Sequence, residues 1–270
     1  VYVDRYDLPV PDPIRKRGVR IRGDDGDTGL KLLDAPYYYG ARYADRVIDD
    51  PTEIRSLFET PPRTTEQLLH PTTRRNESAA PLRIVTRTEG RITATAFPTR
   101  GELLVRVALG DTLGWERGRT VSTGWGNDRL VELSSRNGGG FVWVTRWDTP
   151  RDARQFRAAM ADYVARDDGF GTAGRHVSLT RPANRTVVFV VGDRDVVNAT
   201  RVTVGPNRTV TVHVGNVSTP AVERRSWTAA DFGRRRLVHT NTRSSDTTSP
   251  RSALGSPTSR PRQTADPLGV

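Results

Sequence analysis

Cysteine is absent and methionine occurs once in 270 residues, which excludes disulfides, thiolate metal sites and cysteine nucleophiles. Long apolar runs are absent too. No window approaches the ~18 consecutive apolar residues of a membrane-spanning helix, and no secretory signal pattern follows Val1. Lysine is reduced to Lys16 and Lys31, so arginine supplies nearly all of the 42 basic side chains. The four histidines, His70, His176, His213 and His239, are scattered, with no H-E-x-x-H or H-x-H pair. Nor is there a G-x-S-x-G, P-loop or G-x-G-x-x-G segment. Gly138, Gly139 and Gly140 read as a turn rather than a phosphate cradle, because no helix start follows them. With these motifs missing, the chain reads as one without catalytic residues, metal or cofactor of its own.

What is present is charge. The 42 basic residues outweigh 31 acidic ones, for a formal net charge of +11. Nearly half of that surplus lies between Arg234 and Val270, where seven arginines face only Asp246 and Asp266. That stretch is rich in Ser, Thr and Pro and has no apolar periodicity, so burial cannot offset its ordering entropy. The expected organisation is an irregular basic N-terminal segment over 1–30, a short helical segment over 31–80, an α+β domain over 81–220 and a disordered basic tail over 221–270.

Periodicity fills in the folded part. ARYADRVI places Tyr43, Val47 and Ile48 on one helical face, and Pro51 suits the first position of a further short helix. In PPRTTEQLLHP, Thr64 with Gln67 three residues later is a capping box, and His70 before Pro71 closes the turn. Residues 82–97 alternate in two runs around Glu89 and Gly90, which suggests a hairpin, and GELLVRVALG reads as a short helix ending at Gly110. DRLVELSS and FVWVTRW follow as strands joined by the turn-rich stretch 136–140. Thr149 can cap a helix that starts at Pro150, with Phe156, Ala159, Met160, Tyr163 and Val164 repeating at helical spacing. HVSLTR and RTVVFVVG are two more strands, and TVTVHV closes a further hairpin after Gly205, Pro206 and Asn207. The predicted fold class is α+β: short N-terminal helices, then an antiparallel sheet with one packed amphipathic helix, then β-rich C-terminal hairpins.

Five of the eight asparagines, Asn76, Asn184, Asn198, Asn207 and Asn216, begin N-x-S/T without an intervening proline. They are candidate glycosylation sites, and they point to an extracellular or cell-surface location, with a cytoplasmic one as the alternative. Phe141, Trp143 and Trp147 share one face of a strand and read as core rather than as a stacking platform for sugars or bases. Glu66 and His70, four apart on one short helix, could share a metal. The preferred reading is a histidine at a helix C-terminus that interacts with Glu66. The basic runs at Arg15–Arg22 and Arg234–Arg236 stand on no amphipathic helix and beside no aromatic platform, so they read as solvated rather than as a nucleic-acid surface.

The segments APYYYGARYADRVI, PPRTTEQLLHP, GELLVRVALG, GWGNDRLVEL and FVWVTRWDTPRDARQF occur here in that order. Over about residues 31–192 the chain therefore resembles a family of secreted or surface-anchored proteins, haloarchaeal surface proteins and bacterial relatives, that resemble gluzincin-type zinc metallopeptidases. In that family the H-E-x-x-H helix and its downstream acidic ligand precede this region, and neither is in this sequence. The resemblance implies the part following a peptidase-like core, without its metal ligands. Glu66, Gln67 and His70 match the family's motif and carry no known catalytic role. The chain departs from the family in being basic, where a haloarchaeal surface protein is expected to be acidic. The expected function is a non-catalytic cell-surface or secreted protein with a scaffolding or interaction role and cell-envelope components as candidate partners. The alternatives are the rear half of an active metallopeptidase and a basic nucleic-acid-binding protein.

Overall fold

In the computed structural model residues 12–23, 28–73, 76–136, 138–166 and 174–217 are described. The tail expected to be disordered over 221–270 lies outside them, and so does the second basic run at Arg234–Arg236. The described residues all fall in one compact unit.

The N-terminal part is more ordered than its prolines and charges suggest. Helix α1 (Asp12–Arg22) occupies the segment expected to be irregular, and α2 (Thr28–Val47) begins well before Ala41 and runs through Pro36. The reason is tertiary. Ile21 of α1 and Ala35, Tyr38 and Tyr39 of α2 are buried in a cluster with Leu69, Leu103 and Val107, which supports helices that Gly18 and Pro36 interrupt. A 3₁₀ turn at Pro51–Glu53 leads into α3 (Ile54–Glu59), and α4 (Thr65–Leu69) follows. The expected capping box is present. Gln67 N–H donates to Thr64 Oγ1 at 3.2 Å, while the Gln67 side-chain Oε1 accepts from Arg63 N–H at 2.7 Å, one residue before the cap itself.

The fold is α+β, in three layers. Its centre is a five-stranded antiparallel sheet in the order β2 (Thr93–Phe97), β3 (Trp125–Ser135), β4 (Gly138–Trp147), β6 (Thr186–Gly192), β5 (His176–Ala183). One face packs on α5 (Gly101–Leu113), α6 (Trp115–Ser122) and α7 (Pro150–Arg166). Phe141, Trp143 and Trp147 lie on that face as core, each at most 2% exposed. Phe156 of α7 stacks on Trp147 with ring centroids 4.5 Å apart and meets Trp143 edge-on at 5.8 Å. Where one packed helix was expected there are three. The apolar pattern of α5 runs almost all the way round because α5 is also covered from behind by the α1, α2 and α4 cluster.

The other face of the central sheet, with Val131, Leu133, Val142, Val144, Val188 and Val190, packs on a second sheet. That sheet has the order β1 (Arg83–Thr88), β8 (Thr209–Val214), β7 (Thr200–Val204). β7 and β8 form the expected hairpin, and α8 (Arg194–Ala199) leads into it. Residues 82–97 do not form one. β1 runs parallel to β8 and β2 pairs with β3, so the two strands belong to different sheets. Their alternation specified a half-buried strand and not its partner. The glycines at 138–140 are likewise not the turn but the start of β4. Gly140 faces Gly192 across the ladder, and a Cβ on Gly140 would lie 2.6 Å from the Val191 carbonyl oxygen. Only hydrogen side chains permit that approach.

Candidate functional site

The PPRTTEQLLHP segment is where the sequence and the fold meet most closely. Thr65 Oγ1 accepts from Leu103 N–H at 3.2 Å, which fixes α4 against the first turn of α5. Gly101 is required there. Its φ of 86° lies in the left-handed region, and a Cβ would stand 2.2 Å from Thr65 Oγ1. This docking brings His70 to Glu102, not to Glu66 as expected. His70 Nε2 lies 3.1 Å from both Glu102 carboxylate oxygens, and because a carboxylate only accepts, Nε2 carries the hydrogen.

Glu102 is fully buried and collects further donors. Arg106 Nη2 donates to Oε1 at 2.6 Å and Ser122 Oγ at 3.2 Å, while Arg106 Nε donates to Ser122 at 3.3 Å. Tyr39 closes the group from α2: burial pushes its hydroxyl up from the ordinary value of 10.0, and the adjacent Arg106 guanidinium partly opposes that. A histidine, a carboxylate and a serine are thus in contact, but not in the order that nucleophilic catalysis needs. The serine hydroxyl bonds the carboxylate rather than the histidine, and it is completely buried. The arrangement holds α2, α4, α5 and α6 together by mutual satisfaction of buried polar groups.

Two more buried acids on or against α5 do similar work. Asp111 accepts from Lys31 Nζ at 2.5 Å and from the Thr28 hydroxyl, and Lys31 Nζ also donates to the Gly23 carbonyl at 2.6 Å. Asp128, from β3, caps the N-terminus of α5 by accepting from Arg100 and Gly101 N–H at 3.0 and 2.8 Å, and from Trp143 Nε1 at 3.0 Å. Burial raises its pKa above 3.8, against the lowering effect of these hydrogen bonds.

A folded-state pKa above the unfolded one means that the native state binds the proton more tightly. The stabilisation from protonated Asp128 is therefore complete below about pH 3.8 and is lost as pH rises through the raised folded value. Denaturation midpoints of the parent and of Asp128→Asn across pH 3–8 should show the parent's relative stability falling with rising pH over that window. A difference independent of pH would contradict this assignment.

Glu66, at the other end of α4, turns toward Glu77 and Asp148, with carboxylate oxygens within 4.8 Å of one another. Each of the three already has an interaction partner, so their proximity alone is no evidence for an ion. Gln67 bonds the Glu77 carbonyl through Nε2 at 2.8 Å, tying the following loop to α4. The three motif residues thus serve different neighbours and do not converge on one centre. Sequence reasoning missed Glu102, Arg106, Asp111 and Lys31; the i,i+4 spacing of Glu102 and Arg106 was a readable signal for one pair, whereas Lys31 and Asp111 are 80 residues apart.

The five sequon asparagines are all exposed. Asn184 lies at the β5–β6 turn, Asn207 at the β7–β8 turn, Asn198 on α8, Asn216 just after β8 and Asn76 in the loop after α4. Among the described residues the remaining asparagine, Asn127, is buried, donating to the Ala80 carbonyl at 2.6 Å. A shallow groove of about 490 Å³ between α6 and α7 is lined by Glu116, Arg117, Thr120, Val121, Gln155 and Ala158, with none of the polar clusters above opening into it. No helix among the described residues is long and apolar enough to cross a membrane.

Residues 91–224, just under half of the chain, match a family described as a domain of unknown function (DUF8575). The matched stretch begins in the approach to β2 and takes in the central sheet, α5 to α8, and β7 and β8. Neither a curated protein nor a solved structure matches the chain.

Proposed function

We propose that this chain is a non-catalytic module of a cell-surface or secreted protein, with a scaffolding or interaction role and glycans on its turns. The observation that carries the reading is the partition of asparagines: every described one in N-x-S/T context is exposed, and the described one outside that context is buried. The buried polar groups support the non-catalytic part, since His70, Glu102, Arg106 and Ser122 satisfy one another inside the helical layer. In this reading the chain corresponds to the C-terminal part of a zinc-metallopeptidase-like surface protein. The motif PPRTTEQLLHP then acts as a strut that docks the N-terminal helices on α5.

Glycopeptide mass spectrometry on protein purified from the envelope of the native cell tests this. Occupancy should be high at Asn184 and Asn207, which sit on projecting turns, and lowest at Asn198. There the acceptor stands on a helix, and the sequon hydroxyl of Thr200 is buried in a bond to the Val196 carbonyl at 2.6 Å. Unmodified asparagines throughout, on protein recovered only from the cytosol, would overturn the surface reading.

A further inference from the structure

The end of the sheet sandwich at which β4 stops gathers arginines from three elements. Arg146 is the last residue of β4 whose side chain points toward the second sheet, since Val142 and Val144 before it on the same face are buried between the sheets. It stands half-buried at the mouth between the layers. Its cross-strand neighbour is Thr186, whose hydroxyl accepts from Arg146 Nη1 at 3.1 Å.

Two turns bring further charge to this mouth. The β5–β6 turn presents Arg185, beside Thr186, and is fastened by Arg181 Nη1 donating to the Asn184 carbonyl at 3.3 Å. The β7–β8 turn from the other sheet presents Arg208. Both turns carry the same tripeptide, Asn-Arg-Thr, at 184–186 and 207–209. In the second, Asn207 and Arg208 both adopt left-handed backbone, with φ of 55° and 58°, an arrangement that residues other than glycine rarely take.

Ala80, just before β1, donates to the Gly126 carbonyl next to Asn127, the β3 partner of Arg146, and Arg83 of β1 stands opposite Thr209, so the β7–β8 turn lies at the same end of the sandwich as Arg146. Arg146 is held below the ordinary arginine value first by burial and then by the charges of Arg208 and Arg185. Among the described residues none of the three is paired with a carboxylate. Like charges converging on a half-buried mouth from three elements are stable together when an anion sits among them.

We propose that Arg146, Arg185 and Arg208 form a binding site for a phosphate or sulfate group, at the end of the sandwich where the two Asn-Arg-Thr turns meet. Guanidinium forks match the tetrahedral oxyanion geometrically, and three of them would neutralise a dianion. The site stands apart from the buried polar groups on α5, and because its two turns carry Asn184 and Asn207, glycans there would border it, so binding is read on the unglycosylated chain.

The test uses the full chain produced without glycans, titrated by calorimetry with inorganic phosphate and with sulfate at constant ionic strength set by chloride. Arg185→Ala/Arg208→Ala is compared with Arg154→Ala/Arg157→Ala, which removes the same charge from exposed positions on α7. The parent should bind either anion, and the first variant should lose about tenfold or more in affinity while the second keeps it. Thermal unfolding gives a second readout. Phosphate should raise the midpoint of the parent and leave that of Arg185→Ala/Arg208→Ala unchanged. Co-sedimentation with phosphatidylglycerol/phosphatidylcholine vesicles separates a lipid headgroup from a free anion, and loss of either kind of binding only in the first variant supports the site. Equal losses in both double variants, or no binding by the parent to free anion or to vesicles, would overturn it.

Discussion

Asp111→Ala should destabilise the protein by about 3–5 kcal/mol, read from urea or thermal unfolding at neutral pH. The substitution strands Lys31, whose side chain is 1% exposed and whose ammonium would keep only the Gly23 carbonyl. It also removes the acceptor of the buried Thr28 hydroxyl. An ammonium without a counter-charge in that position cannot reach water without moving α2 away from α5. The companion variant Lys31→Met/Asp111→Leu removes both charges together and keeps much of the volume. It should recover most of the loss, because the Coulombic gain of a buried pair roughly offsets its desolvation. A double variant as unstable as Asp111→Ala would show that the cost lies in packing rather than in the orphaned charge.

The second large effect comes from a single methyl group. A Cβ on Gly118 would lie 2.5 Å from the Gly110 amide nitrogen and 2.6 Å from the Arg106 carbonyl oxygen. Those atoms are helix backbone and cannot rotate aside, so α6 would have to move off α5. That separation would pull Ser122 away from Glu102 and Arg106 and loosen Val121 from the core between the helices and the central sheet. Gly118→Ala is expected to cost about 3 kcal/mol, at the upper end of overpacking changes. Ala is a far better helix former than Gly, by about 1 kcal/mol, so local propensity alone gives the opposite sign. A Gly118→Ala protein more stable than the parent would show that the two helices can separate freely.

These two results separate what was legible in the sequence from what was not. The helix from Pro150, the strand with Phe141, Trp143 and Trp147, and the Thr64 cap were all readable, because each depends on residues within a few positions of one another. β3 and β4 proved longer than their apolar runs, since hydrogen bonding continues through polar and glycine positions whose partners are distant. The N-terminal helices and the pairing of β1 were misread for a related reason. Their stability comes from contacts with α5 and with β8, more than a hundred residues away in the second case.

The sequence by itself determined the α+β class and the aromatic core of the central sheet, because periodicity, capping and turn chemistry are local properties of the chain. Only the tertiary structure decided that His70 serves Glu102 and that Lys31 neutralises Asp111. Charge pairing depends on distance in space, and neither a helical nor a strand period carries information about which distant residue lies there.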